Sequence, residues 1–456
     1  QGFVRNTCSK IQIGMGNLNE LLEDLTQQLE DYRNEKLEET IEKKVIYKLS
    51  KQEEKEAISF LQAPNLIEKT DKAIANSGVI GEELNRLLMF LVFTSRKQNN
   101  PLHIISMGKS GTGKSHLQEK IAQLIPEEDK MEITDLSENA FYYFEREELK
   151  HKLILIEDLE GASSSMYPIR ELQSKKHITK TVVQKDKNGN PRTKQLVVEG
   201  PICVAGCSTQ ERIYEDNANR SFIIQIDQSK EQDDLIMNYQ RRASAGEIDS
   251  FKQLETMRLI KNTQRLLKPI RVINRFAHEL ELPKEVFKPR RTNAHYLNFI
   301  EAVTFYHQFQ RTQQVNEDTG EIYIETTLED IEIANDLIKE ALLTKSDELS
   351  QGCRSFFEDL KSYLKLKGAV TFFSNPVRKH FRISPNSLRY NLIQLQKYGL
   401  VHIKSGDKHK GFEYKIDSIS EYQNLKSSID TLLENSLESI KKGQKTAKKP
   451  TPKPKK

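Results

Sequence analysis

Residues Gly108-Lys109-Ser110-Gly111-Thr112-Gly113-Lys114-Ser115 have the spacing G-x-x-x-x-G-K-S. Glycines at these positions let backbone N–H groups curl around an anion with no Cβ in the way. A helix starting at their end adds partial positive charge. The chemistry is that of a nucleoside triphosphate: ATP with Mg2+, with Lys114 reaching the β- and γ-phosphates and Ser115 ligating the metal. Two elements must hold such a loop. Ile104, Ile105 and Met107 read as an apolar strand before it. Leu117, Ile121 and Leu124 recur at helical spacing over 116–125 after it.

A second apolar strand, 153–156, ends in Glu157-Asp158, with Glu160 close by. A metal and water site asks for this: one carboxylate holds the ion and the next polarises the attacking water. Glu157 is assigned to the metal and Asp158 to the water, and the reverse order is open. A further strand, 202–206, leads to Cys207-Ser208-Thr209, where a polar residue can sense the γ-phosphate. Arg220 follows, between a polar loop and a strand at 222–226. It is either an arginine finger reaching a neighbouring subunit's nucleotide or a local ion pair.

Between the acidic strand and 202–206, the runs Thr181-Val182-Val183 and Leu196-Val197-Val198 flank Asn188-Gly189, a hairpin signal. Residues 175–199 carry seven Lys or Arg against two acids. Lys180, Lys185, Lys187, Arg192 and Lys194 are therefore candidates for gripping nucleic-acid phosphates. A solvated hairpin is the plainer alternative.

Residues 351–416 read as three helices and two strands, with Ser384 capping the third helix and Pro385 at its first position. That is a winged-helix order. Thirteen Lys or Arg face four acids there. Asn386, Ser387, Arg389 and Tyr390 on the third helix, and Lys404, Lys408 and Lys410 on the wing, are candidate DNA contacts. Winged helices also mediate protein contacts.

The whole chain of 456 residues is net +4, but its last sixteen residues hold eight lysines and no acid. The remainder is net acidic, so its positive charge is concentrated rather than spread. No apolar run is long enough to span a bilayer, and the first residues lack an apolar segment. A cytoplasmic chain is expected. It starts with Gln1, which leaves room for a further N-terminal domain. Cys8, Cys203, Cys207 and Cys353 have no zinc-ligand spacing and read as reduced thiols. Leu18, Leu21, Leu22, Leu25, Leu29, Leu37, Ile41 and Val45 predict one long helix over 17–60, either an arm for a partner or a solvated linker.

These segments resemble the AAA+ ATPases, and within them the minichromosome-maintenance (MCM) replicative helicases, over roughly 62–310. Gly78-Val79-Ile80-Gly81-Glu82-Glu83 followed by 87–91 looks like that family's lead-in to its ATPase core. The phosphate loop and Ile156-Glu157-Asp158-Leu159-Glu160 follow, although that family has Asp-Glu at the acids. Ile169-Arg170-Glu171-Leu172-Gln173 leading to Thr179-Lys180 resembles the helix and hairpin start, where the hairpin lysine touches DNA in a central pore. The resemblance implies that Thr209 is the phosphate sensor, where the family usually has Asn. It makes Arg220 the arginine finger and Arg291, with Arg290 as fallback, the second sensor arginine. The chain is also similar to the helicase part of primase–helicases of bacterial mobile elements and phages, which implies a primase domain or partner ahead of Gln1. No primase-like acidic motif or zinc ribbon is present in these residues.

The expected architecture is α/β: a helical arm over 1–60, then an AAA+ P-loop core with a parallel sheet over 61–230, carrying a β-hairpin insert at 175–199. A helical lid over 231–350, a winged helix over 351–416, a helix over 417–440 and a disordered Lys/Pro tail over 441–456 complete it. The expected function is a hexameric, ATP-driven DNA helicase acting in replication. An ATP-gated DNA-binding switch or loader is the alternative, and a transcriptional regulator using the winged helix is a third.

Overall fold

In the computed structural model the chain divides into two units, residues 1–49 and 50–456. Of the second unit, the structure describes residues 50–447 apart from 135–136, 138, 163–164, 186–189, 211–214, 283–287, 348, 408–410 and 418–419. Of the first it describes 16–18, 21–22, 24–25, 28–29, 32 and 47–49. The described residues of 16–32 are helical, and Leu21, Leu25 and Leu29 are more than half exposed. Leu37, Ile41 and Val45 lie outside the described residues.

The single helix expected over 17–60 does not continue through 47–50, which are non-helical. Ser50 instead caps a new helix, α1 (Lys51–Leu61). Its hydroxyl accepts from the Glu53 amide, and Glu53 accepts from the Ser50 amide. This reciprocal pairing is a helix start that leucine spacing alone hides. Residues 50–60 therefore belong with the second unit rather than with the arm.

Helices α2 (Leu66–Asn76) and α3 (Glu83–Thr94) lead to β1 (Ile104–Met107), α4 (Lys114–Ala122), β2 (Lys130–Ile133) and β3 (Lys152–Ile156). Next come α5 (Met166–Lys175), the hairpin β4 (His177–Lys185) and β5 (Pro191–Glu199), then β6 (Ile202–Ser208) and β7 (Phe222–Gln225). Five strands form one sheet in the order β2-β3-β6-β1-β7, each neighbouring pair parallel. Both faces are buried, which is why the strands read as unbroken apolar runs. Ile104, Leu153, Leu155, Cys203 and Ala205 enter one core, and Ile105, Ile154, Ile156, Ile202 and Val204 the other. Strand β2 escaped sequence reading because it lies at the sheet edge, where Lys130 and Glu132 are tolerated.

The region expected to be a helical lid holds α6 (Lys230–Ser244), α7 (Ser250–Leu266), α8 (Pro289–Tyr306) and α9 (Leu328–Ser346). It also holds a small sheet in the order β8 (Arg271–Ile273), β10 (Ile322–Glu325), β9 (Gln314–Val315). Strands of two to four residues are too short to show a period. Tyr296, Phe299 and Val303 of α8 and Ile331 and Ile338 of α9 join the core that contains Leu117 and Ile121 of α4.

The chain then builds α10 (Gln351–Leu366), β11 (Thr371–Phe373), α11 (Ser374–Phe381), α12 (Pro385–Lys397), β12 (Val401–Asp407) and β13 (Gly411–Ile416). Their three strands pair antiparallel in the order β11-β13-β12. Phe357, Leu360, Leu388, Leu392 and Leu395 form a separate core there. Helix α13 (Glu421–Ala447) runs beyond residue 440 into the stretch expected to be disordered. Ile440 is buried against the main core and Lys441 pairs with Glu332 of α9. Residues 448–456 lie outside the described residues.

Asp330 in the first turn of α9 is fully buried. It accepts hydrogen bonds from Arg311 (2.5 Å) and from the Thr327 amide (2.9 Å), and His307 lies 3.1 Å away. Burial opposes its charge, but the bonds and charges of His307 and Arg311 prevail and hold its carboxyl down at about 2. A depressed carboxylate stabilises above its ordinary value and loses that stabilisation as the pH falls through the folded value. Asp330 is thus expected to contribute about 2 kcal/mol that disappears between roughly pH 4 and pH 2. Asp330→Asn, leaving Arg311 buried without its partner, is expected to cost about 3–5 kcal/mol in urea unfolding. A loss under about 1 kcal/mol would mean that Arg311 finds another partner.

Candidate active site

The loop after β1 is shaped by three glycines in the left-handed region: Gly108 at φ 153°, Gly111 at 80° and Gly113 at 91°. Gly113 is also the residue before α4, so Lys114 and Ser115 open that helix. Open space lies where a Cβ would stand on Gly111 and Gly113, whereas one on Gly108 would meet Thr112 Oγ1 at 2.9 Å. Lys109 and Ser110 are exposed at the crown. Thr112 and Lys114 both donate to the Lys109 carbonyl, at 2.9 and 2.7 Å. Lys114 is otherwise buried, so its ammonium is held inside the loop's own curve.

The acids come from the turn after β3. Glu157 is exposed and shares a small cavity of about 60 Å3 with Ser115, Glu132 and Thr134. Hydroxyl and carboxylate oxygens around one space suit a hard cation such as Mg2+. Asp158 points elsewhere, toward Glu160, whose amide donates to Asp158 Oδ1 at 3.1 Å. The hydrogen bond from Glu160 holds the Asp158 carboxyl below its ordinary range, aided by backbone amides and the charge of Lys114. Burial and Asp158 together hold the Glu160 carboxyl above its range. The two carboxyls are therefore pushed in opposite directions, Asp158 toward the ionised form and Glu160 away from it.

The end of β6 completes this group. Ser208 donates to Glu160 Oε1 at 2.5 Å, and the Thr209 amide lies 3.5 Å from Oε2. Thr209 itself is exposed, so the side chain that touches the acids is Ser208, one residue before the expected sensor. Gln118 of α4 donates to the Ile156 carbonyl at 3.3 Å and accepts from the Cys207 thiol at 3.5 Å, tying the loop helix to both strands. Burial pushes that thiol up to about 11, against a hydrogen bond with Ser115. Glu160 and Ser208 stood within the quoted segments but without an assigned role, and Gln118 in none of them. Their only signal was proximity: three residues past Glu157, one before Thr209, and one helical turn past Ser115.

Arg220 and Arg291 do not join this group. Parallel pairing sets Phe222 opposite Ile104, so Arg220 sits at the starting edge of the sheet. The loop leaves the far end of β1, roughly 20 Å away along the strand. Arg220 donates to Ser174 Oγ (2.9 Å) and to the Asp216 carbonyl (2.6 Å), with Asp216 Oδ1 at 3.4 Å. Arg291, in the first turn of α8, is exposed at the same edge, where it acts on His295 and Lys345. Arg290 beside it is likewise exposed.

The hairpin pairs Lys180 with Leu196, Val182 with Lys194 and Gln184 with Arg192. Lys185 pairs with Pro191 through the backbone, and Lys187 lies outside the described residues. Lys194 and Arg192 are exposed. On α12, Asn386, Ser387, Arg389 and Tyr390 are all exposed, with Ser387 bonded to the Ser384 cap. Lys404 pairs with Glu413 at 3.3 Å rather than standing alone on the strand. Lys408 and Lys410 lie outside the described residues. Cys203, Cys207 and Cys353 are buried free thiols, and no His/Cys/Asp/Glu group among the described residues could hold a metal on its own.

Lys114→Ala is expected to reduce phosphate release from ATP to background while leaving thermal unfolding within a few degrees of the parent. Retained turnover would put the phosphates somewhere other than this loop. Residues 50–269, a little under half of the chain, match the family model described as the MTBMA_p00010 P-loop domain. No curated protein matches the chain. The matched stretch contains the whole five-stranded sheet, the glycine loop and both acids. The match to a P-loop domain over residues 50–269, with the parallel sheet and the glycine loop, supports a nucleotide-binding P-loop NTPase core.

Proposed function

We propose that the chain is an ATP-driven motor on DNA: a ring-forming AAA+ helicase or translocase, hexameric, serving replication of a mobile element or phage. One observation carries this reading. The chain leaves the acid turn, forms α5 and the cationic hairpin, and returns directly into β6, whose last residue, Ser208, bonds Glu160. The hairpin is thus a covalent insertion between the two segments that meet at the acids. A change there on hydrolysis moves both roots of a DNA-gripping ribbon.

In this reading Lys114 exchanges the Lys109 carbonyl for phosphate oxygens. Ser115 and Glu157 would hold Mg2+, which neutralises phosphate charge when bound. Asp158 polarises the attacking water, while Glu160 and Ser208 hold Asp158 in place. Arg220 and Arg291 lie at the opposite edge, so they serve the loop of a neighbouring copy. The exposed hairpin cations and the net acidic body support nucleic acid as the track. No helix among the described residues is long and apolar enough to cross a membrane.

A second reading is an ATP-gated DNA-binding switch or loader that recruits a partner without unwinding. It is favoured by the separate core of 351–416, whose helices and three strands follow a winged-helix order and present Asn386, Arg389 and Tyr390 outward.

ATP hydrolysis measured with and without single-stranded DNA, beside strand separation of a forked duplex, decides between them. Stimulated turnover with separation is expected; stimulation without separation would select the switch or loader. Arg220→Ala alone is expected to lose turnover by about 10³-fold or more. Mixing it with Lys114→Ala should restore part of the activity, because mixed rings contain intact composite sites. No rescue would sink the shared site.

A further inference from the structure

The hairpin's alternation sorts its charges. Directly paired residues share a face, so Ile178, Val198, Lys180, Leu196, Val182, Lys194 and Arg192 all lie on one side. Ile178 and Val198 are buried at the root, and the three cations climb from there toward the tip. The same face meets a short turn between β2 and β3, residues Ala140–Tyr143. Phe141 of that turn is fully buried and packs against Phe144 at 5.6 Å between centroids. The anchored turn presents Tyr143 with 64% of its surface exposed. The Lys180 ammonium stands 5.3 Å from the Tyr143 ring centroid and 5.4 Å from that of Tyr142.

Resting on the motor reading above, we propose that Tyr143 is a stacking platform for an unpaired base, so that this face takes single-stranded rather than duplex nucleic acid. The argument is one of surfaces. A flat aromatic ring held by a buried neighbour loses little entropy on stacking, and every base offers a π-face. Cations spaced two residues apart along the adjoining strands offer phosphate contacts beside it. A base inside a duplex has its faces covered by neighbouring pairs, so the ring cannot use it. The cation–π contact sets Lys180 at the ring, placing backbone and base contacts side by side.

The test uses the full chain with three probes of equal length: a labelled oligothymidylate, the corresponding abasic strand and a blunt duplex. Tyr143→Ala is expected to weaken oligothymidylate binding about tenfold, with Tyr143→Phe near the parent and the abasic strand unaffected. Lys194→Ala should weaken all three probes and lower the salt slope by about 1. The chain has no tryptophan, so Tyr143→Trp supplies a single reporter. Its emission should be quenched by oligothymidylate and not by the abasic strand. Unchanged oligothymidylate affinity in Tyr143→Ala, an unresponsive reporter, or tighter binding of the duplex would overturn the platform. If Lys194→Ala still weakens binding, the motor reading stands without it. If the parent binds none of the probes, the motor reading itself fails.

Discussion

Leu159 lies over Gly206, where a Cβ would come within 2.7 Å of its side chain, and its amide donates to the Cys207 carbonyl at 3.0 Å. This close approach clamps the turn after β3 onto the end of β6. Glu160 thereby reaches Ser208, and Asp158 reaches Glu160. The sheet order makes it possible, because β6 lies between β3 and β1 and its last residues fall between the acids and the glycine loop. A side chain at Gly206 would have to displace the buried Leu159 side chain that packs over it. A site built from three separate loops is thus held together where Leu159 closes over Gly206.

The same parallel arrangement gives the domain two chemically distinct edges. At the finishing edge stand the loop, the acids and Ser208. At the starting edge His103 accepts from the Val204 amide at 3.2 Å, and burial and Arg220 push its imidazole down to about 3, so it stays neutral. Lys345, pushed down to about 8 by burial and then by Arg291, donates to the Ser221 carbonyl and contacts His295. It links α9 to the segment bearing Arg220 and to the helix bearing Arg291. Cations thus gather at the end of the sheet away from the glycine loop, the end that the proposed ring would turn toward a neighbouring copy.

Much of this was legible from residue types. Buried parallel strands declare themselves as apolar runs, and the phosphate loop has a spacing that few other structures demand. The loop helix began at Lys114 rather than His116 because Gly113 itself is the turn into it. What stayed hidden was set by neighbours rather than by the local sequence. Edge strand β2 carries polar residues because one side has no partner. The arm's leucine period concealed the break at Ser50, where a capping pair outweighs periodicity. Ser208, rather than Thr209, meets the acids because strand parity turns its hydroxyl toward Glu160. No composition rule foretells which of two adjacent hydroxyls faces a partner that lies 48 residues away.

A ribbon can transmit motion only if its root is stiff and its far end is free to act. Ile178 and Val198 are buried in the same core as Ile154, Ile156 and Leu172, so the root belongs to the sheet's own packing. The Glu199 amide donates to the Arg146 carbonyl, the Gly200 amide donates to the Lys176 carbonyl, and Arg146 pairs with Glu199 at 2.6 Å. Beyond the root, exposure rises along β5 toward Thr193 and Arg192. Nine paired positions join the arms, enough to carry a displacement as one body. In the proposed motor, a shift of the acid turn against β6 is therefore delivered to the cationic face as rotation of the whole hairpin about its buried root, rather than being absorbed by bending along its length.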